Sequence, residues 1–331
     1  MKTVVSMTRT IQHHVLFSLT MLLFTSGMLN AQGNSHASQA AMEHPSWVQI
    51  PGELIRPDCV HEIPNGAKVE MKKNGQATGD VTLNGAVIAH YDACPEAAVS
   101  TRHQQSTQRT TTKGQGQAPY VNGWVEASQW DVSLGSGDNI DLMDGFWYVP
   151  SNPSKNGGLV YLFNGIEPTT ENWILQPVLQ YGVGYAGGGN YWAIASWLVG
   201  PNYVFHSPLE TVNPGNLIFG YTEITGQSGS TQDWRVEAYD ESTGAYSWIT
   251  VGFSGLQWNW AFSGVLEAYN IGSCSQLPSN GYAYFEDSSV YHGFPYYDYI
   301  SPQGWYGAIY STGGLNCGFG VYAGNTTVLY F

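Results

Sequence analysis

Asn172-Trp-Ile-Leu-Gln-Pro-Val-Leu-Gln-Tyr181 is a strand pattern, because its side chains sort cleanly when alternate positions are assigned to opposite faces. Trp173, Leu175 and Leu179 then share an apolar face, whereas Gln176 and Gln180 place amides on the other. Pro177 cannot donate a ladder hydrogen bond, so we expect one side of this strand to be unpaired or bulged there.

Comparable alternating runs recur throughout the second part of the chain, with Gly, Pro, Asn and Ser clustered between them. Helical periodicity is hard to find after residue 119. Many strand-like runs at short intervals predict an all-β sandwich or jelly roll. The candidate strands are Gly158–Phe163, Asn172–Tyr181, Tyr191–Val199, Asn216–Ile224, Trp234–Tyr239, Tyr246–Phe253, Ala261–Ile271 and Thr327–Phe331.

The composition is poor in charge and acidic. Only 11% of the 331 residues are charged, against about 25% in a typical soluble domain. The net charge of −14 argues against a partner rich in phosphate, such as nucleic acid. Residues 119–331 hold 17 acidic residues and two basic ones, Lys155 and Arg235. A domain with so few bases gains little positive charge as the pH falls, which suits it to acid.

The beginning of the chain has the pattern of an export signal. Lys2 and Arg9 precede an apolar run over residues 15–24, and small residues follow at 29–31. We therefore expect residues 1–31 to be a signal peptide and the protein to be secreted, into the medium or the periplasm. No later apolar run reaches the ~20 residues that span a bilayer.

A polar run, TRHQQSTQRTTTKGQGQA at residues 101–118, divides the rest of the chain. It contains too little apolar surface to offset the entropy of ordering it, so it is predicted to be a linker. Residues 32–100 would form a small N-terminal domain or prosegment with short strands. Residues 119–331 would form the catalytic jelly roll.

The four cysteines fit an oxidising compartment. Three pairings are possible, and we favour the local one, which joins Cys59 to Cys94 and Cys274 to Cys317. No cysteine lies in a Cys-x-x-Cys pair or near a histidine at zinc-ligand spacing. The sequence therefore predicts neither a metal nor a cofactor.

Familiar hydrolytic motifs are missing from the post-linker sequence. It contains two histidines, His206 and His292, and no Gly-x-Ser-x-Gly or His-Glu-x-x-His motif. Glu237 and Asp240 would point to opposite faces of a strand, which disfavours a carboxylate pair. Glu267 remains, an acid placed among apolar neighbours, where its charged form is disfavoured and proton transfer becomes possible.

Several segments, taken in order, resemble the eqolisins, a family of glutamic peptidases. Ile174-Leu-Gln176 resembles the family segment that carries the catalytic glutamine, and Leu266-Glu267-Ala268 lies where the family has its glutamate. The other similar segments are Phe146-Trp-Tyr-Val-Pro-Ser151, Leu162-Phe-Asn-Gly-Ile-Glu167, Tyr191-Trp-Ala193 with Ser196-Trp197, and Val212-Asn-Pro-Gly-Asn216.

The resemblance implies a concanavalin-like jelly roll that hydrolyses peptide bonds in acid. Glu267 would activate water and Gln176 would donate to the oxyanion. Three positions depart from the family pattern: Ser196 replaces an acid, Glu167 replaces an aspartate, and Pro177 follows the glutamine. The substrate-binding side chains are expected at Trp124, Phe163, Glu167, Trp192, Ser196, Trp197 and Tyr269.

The expected function is thus a secreted, acid-acting glutamic endopeptidase with polypeptide substrates and its own N-terminal segment as an inhibitor. Two alternatives remain open. One is a lectin-like module that stacks sugars on exposed Trp124, Trp192 and Trp197. The other is a polysaccharide-cleaving enzyme on the same scaffold.

Overall fold

The structure is a computed structural model that describes residues 46–72, 76–95, 99–100, 120–132, 134, 138–170 and 172–331. The predicted signal peptide and linker lie outside the described residues. The described residues all belong to one compact unit.

Strands make up nearly all of the regular structure in these residues. Before residue 101 they are β1 (Val48–Ile50), β2 (Glu53–Ile55), β3 (Val60–Glu62), β4 (Lys68–Lys72), β5 (Gln76–Leu83), β6 (Ala86–His90) and β7 (Val99–Ser100). After residue 119 they are β8 (Val121–Asp131), β9 (Leu142–Tyr148), β10 (Leu159–Pro168), β11 (Ile174–Gly184), β12 (Gly187–Gly200), β13 (Tyr203–His206), β14 (Glu210–Val212), β15 (Leu217–Ser228), β16 (Thr231–Asp240), β17 (Tyr246–Ser254), β18 (Trp258–Ile271), β19 (Tyr282–His292), β20 (Asp298–Tyr299), β21 (Tyr306–Ile309), β22 (Gly320–Tyr322) and β23 (Thr327–Tyr330). Single turns of 3₁₀ helix lie at Pro57–Cys59 and Cys274–Gln276.

The strands of the described residues form two large sheets and one small one. The nine-stranded sheet has the order β21-β8-β18-β10-β11-β12-β13-β3, with β14 added to β12. The eleven-stranded sheet has the order β22-β23-β19-β9-β15-β16-β17-β4-β5-β6, with β20 added to β19. The small sheet has the order β1-β2-β7.

The two large sheets pack face to face. The interior clusters combine residues of both, such as Leu175 with Trp234 and Leu179 with Ile218. A third cluster covers the other face of the nine-stranded sheet, where Ile50 and Ile55 of the small sheet pack against it. We call this outer face of the nine-stranded sheet the site face. The all-β sandwich of jelly-roll type is confirmed.

The N-terminal strands extend both large sheets. β3 pairs in parallel with β13, and β4 pairs in parallel with β17. The described strands β3 to β6 are therefore built into the sandwich rather than into a sheet of their own.

Both predicted disulfides, Cys59–Cys94 and Cys274–Cys317, are confirmed. Among the described cysteines none is free. The two bonds fit an oxidising environment.

Candidate active site

Gln176 lies on the site face, as the alternation of β11 predicts. Ile174 and Val178, two positions to either side of Gln176, belong to the cluster that covers the site face. The adjacent Leu175 belongs to a cluster between the two large sheets. The pairing of β10 with β11 stops at Phe163↔Val178 and resumes at Ile166↔Leu175, so it skips Gln176 and Pro177. This gap in the register confirms the irregularity expected at Pro177.

Glu267 is fully buried in β18 and shares the site face with Val265 and Tyr269. Across the ladder it stands opposite Tyr161 in β10. Burial, and secondarily the negative charge of Glu267, raises the pKa of Tyr161 well above its usual range. The Tyr161 hydroxyl has no hydrogen-bond partner among the described residues.

Gln176 and Glu267 meet at a single peptide group that belongs to the N-terminal segment. The Gln176 side-chain amide donates to the Pro51 carbonyl oxygen, with Nε2 3.1 Å from that oxygen. The Gly52 N–H, on the same peptide bond, donates to the Glu267 carboxylate, with nitrogen 2.9 Å from Oε1 and 2.8 Å from Oε2. Gln176 therefore holds the carbonyl end of the peptide group, and Glu267 holds its N–H end.

A turn at Pro51-Gly52 presents this peptide group to the sheet. β1 and β2 pair as a hairpin whose last pair is Ile50↔Glu53. Gly52 has a φ of +89°, which the third position of a type II turn requires, and proline suits the second. The central peptide group of such a turn points away from the ladder, so its two polar atoms need partners elsewhere.

Tyr269 ties the acid to the same hairpin. Its hydroxyl donates to Glu267 Oε1 and lies 3.3 Å from the Ile50 carbonyl oxygen. The Gly52 N–H and the Tyr269 hydroxyl therefore fix the orientation of the carboxylate from two sides.

Four more of the predicted substrate-binding residues also lie on the site face. Trp124 packs edge-on against Phe163 at 5.7 Å between ring centroids. Trp197 stacks on His206 at 4.5 Å, and burial lowers the pKa of that histidine. Glu167 is buried at the end of β10, next to Ile166, which points between the sheets. Glu167 therefore lies on the site face.

Trp192 and Ser196 are not on the site face, and their assignment to substrate binding has to be corrected. Trp192 packs between the sheets against Tyr181, at 5.2 Å between ring centroids. Ser196 Oγ donates to the Ser247 carbonyl oxygen in β17 of the opposite sheet, at 2.8 Å. Both residues are an even number of positions from Leu198 and an odd number from Trp197, so alternation turns them inward.

The tryptophans proposed to stack sugars are also buried. Trp124 is 2% exposed, and Trp192 and Trp197 are fully buried. The lectin hypothesis in that form is wrong, because a ring without accessible surface cannot stack on a sugar.

Sequence reasoning missed Tyr161, Pro51 and Gly52. Alternation in Leu159-Val-Tyr-Leu-Phe163 would have placed Tyr161 beside Phe163 on one face. A Pro-Gly dipeptide between two strand-like runs is a turn signal. Its contact with residues 125 and 215 positions away has no local signal.

Within the described residues, no group of three or more His, Cys, Asp or Glu side chains could hold a metal ion. The helical turns found there are too short to cross a membrane.

Comparisons with known proteins give only distant likenesses. No family model matches the sequence, and no curated protein matches it in sequence. A solved structure of scytalido-glutamic peptidase with a transition-state analogue inhibitor is similar at 15% identity and a TM-score of 0.42, over 63% of this chain and 98% of that one. SCP-B, an eqolisin-family peptidase in complex with the tripeptide Ala-Ile-His, is similar at 14% identity and a TM-score of 0.39, over the same shares. Likeness this distant carries no argument about activity.

Proposed function

We propose that the protein is a secreted glutamic endopeptidase that acts in acid, with Glu267 and Gln176 as its catalytic residues. The observation that carries this proposal is the way in which the two side chains hold one peptide group by its carbonyl oxygen and its N–H. A scissile peptide bond in the same position would present its reacting atoms to the groups that hydrolysis needs.

The chemistry follows from the donors and acceptors. Glu267 takes a proton from water, and the resulting hydroxide adds to the carbonyl carbon. Gln176 donates to the oxygen that becomes negative. Glu267 then gives the proton to the leaving nitrogen, the C–N bond breaks, and a carboxylic acid and an amine are formed. Tyr161 offers a further buried hydroxyl beside Glu267.

The test is hydrolysis of a denatured protein by the purified full-length chain across the acidic range. We expect Glu267→Gln to abolish hydrolysis and Gln176→Ala to lower kcat by about 10²–10³-fold, the cost of a lost oxyanion donor. Glu237→Gln is the matched control. Like Glu267, Glu237 accepts a hydrogen bond from a tyrosine hydroxyl, that of Tyr221 at 2.8 Å, but it lies in the other large sheet. Hydrolysis that survives Glu267→Gln would contradict the proposal.

Carbohydrate binding is a second candidate, at a different place from the tryptophans. Tyr148, Tyr282 and Tyr284 line a cavity of about 480 Å³ on the eleven-stranded sheet, with Ser151 and Asn280 beside them. Tyr148 and Tyr282 are 42% and 44% exposed, so their rings are accessible for stacking on sugars. This function would be supported if the protein binds glycans, if Glu267→Gln leaves that binding intact, and if the double variant Tyr148→Ala with Tyr282→Ala removes it.

A further inference from the structure

The Pro51-Gly52 turn fills the position in which a substrate peptide bond would lie. Its carbonyl oxygen accepts a hydrogen bond from the Gln176 amide, and its N–H donates to both carboxylate oxygens of Glu267. Residues 51–55 are all buried, so the hairpin covers these two side chains. A substrate cannot reach Gln176 and Glu267 while the turn remains.

Apolar side chains on both sides of the turn attach the hairpin to the site face. Ile50 and Ile55 are fully buried in the same cluster as Trp124, Phe163 and Trp197. The hairpin is thus bound by the site face through its backbone and its side chains together, as an extended segment of another protein would be.

The chain that follows the hairpin is fixed to the sandwich at three further places. β3 pairs with β13, β4 pairs with β17, and the Cys94 N–H donates to the Asn202 carbonyl oxygen at 2.9 Å. The Cys59–Cys94 disulfide joins two parts of this segment to each other. A segment held in this way stays with the protein even when the turn leaves the site face.

We propose that the β1–β2 hairpin is a resident inhibitor of the Gln176–Glu267 site, which opens by displacement of the hairpin while residues 52–95 remain part of the active protein. This inference rests on the proposed peptidase function. It goes beyond the expectation that the N-terminal segment is an inhibitor, because it names the inhibiting hairpin and keeps β3 and β4 as strands of the two large sheets.

The test is Gly52→Ala in the full-length chain. At a φ of +89° an alanine is strained in the closed turn, which shifts the balance toward the displaced hairpin by about 5- to 30-fold. We expect hydrolysis of an added peptide to rise by the same factor. Amide hydrogen exchange of residues 48–55 should also rise, and the intact mass should show that residues 52–95 are retained.

Gly255→Ala is the matched control, because Gly255 has a φ of +75° and open space around its Cβ position. It follows β17 of the eleven-stranded sheet and not a strand of the site face. It should change neither the rate nor the exchange of residues 48–55. Faster exchange in Gly52→Ala with an unchanged rate of hydrolysis would overturn the inhibitory role alone. If only molecules that have lost residues 52–95 are active, the inference that these residues remain part of the active protein is wrong. Faster exchange with no hydrolysis in either protein would overturn the peptidase function and the inhibition together.

Discussion

Tyr269 and Gly52 approach the Glu267 carboxylate from different elements, one from the same strand and one from the hairpin. When the hairpin leaves, Tyr269 remains as the donor that holds the carboxylate in place. A hydrogen bond to a charged group contributes about 1.5–3 kcal/mol, so this hydroxyl has a measurable effect on the open site.

Tyr269→Phe removes the hydroxyl and keeps the ring. In the Gly52→Ala background we expect kcat to fall by about tenfold or more, with a smaller change in KM, because the carboxylate loses its fixed orientation. Tyr221→Phe is the control, since it breaks a tyrosine–glutamate hydrogen bond in the other sheet. Equal rates for Tyr269→Phe and its parent would show that Tyr269 does not position Glu267.

At the scale of the element, Gly165 allows β10 and β11 to approach each other beside Gln176. A Cβ atom on Gly165 would lie 2.6 Å from the Leu175 carbonyl oxygen and 3.2 Å from Gln176 Cβ. The neighbour in conflict is backbone, which cannot rotate away. The glycine is therefore part of what places the glutamine.

We expect Gly165→Ala to push β11 away from β10, with a loss of about 1–3 kcal/mol of unfolding free energy, as in other overpacked interiors. A shift of Gln176 by about 1 Å would lower kcat on the order of 10²-fold. Denaturant unfolding and peptide hydrolysis measure the two effects. Gly226→Ala, whose Cβ would be 3.6 Å from the Asp233 side chain, should leave both nearly unchanged. A kcat for Gly165→Ala equal to that of the parent would refute the role in placement.

Particular residues show how far the sequence determines these elements. Alternation alone separated Gln176 from Leu175 and identified Pro177 as a break in the ladder, because side-chain direction in a strand is a local property. Trp192 and Ser196 were assigned to substrate binding through the family resemblance, whereas alternation in β12 places both on the face opposite Trp197. The contacts of Pro51 and Gly52 depend on packing between distant segments, which no local pattern encodes.

At the scale of the whole molecule, buried acids accompany the net charge of −14. Burial raises the pKa of Glu126 to about 9, offset in part by the Gly320 backbone N–H. Burial likewise raises the pKa of Asp144 to about 7. Each group favours its protonated form in the folded state, so its contribution to stability is complete below its unfolded pKa and is lost as the pH rises toward its folded pKa.

Glu126→Gln tests this dependence, because glutamine is close to the protonated acid in shape and does not ionise. The difference in unfolding free energy between the two proteins should be smallest below pH 4.5, the ordinary pKa of the side chain. The advantage of the variant should then grow as the pH rises toward about 9. Glu210→Gln, at a half-buried position in β14, is the control. If the difference in unfolding free energy does not change with pH, the raised pKa of Glu126 is contradicted.

The parallel pairs β3–β13 and β4–β17 also affect the order in which the protein can fold during synthesis. The earliest strands of the sandwich wait for partners made much later, and pairing over long sequence separations is slow. The β1–β2 hairpin cannot contact Glu267 until β18 has been made. While the chain is being synthesised, the hairpin therefore has no site face to pack against. Folding intermediates therefore expose both the hairpin and the part of the site face that it covers, and exchange of hairpins between neighbouring chains is the misfolding event that this topology favours.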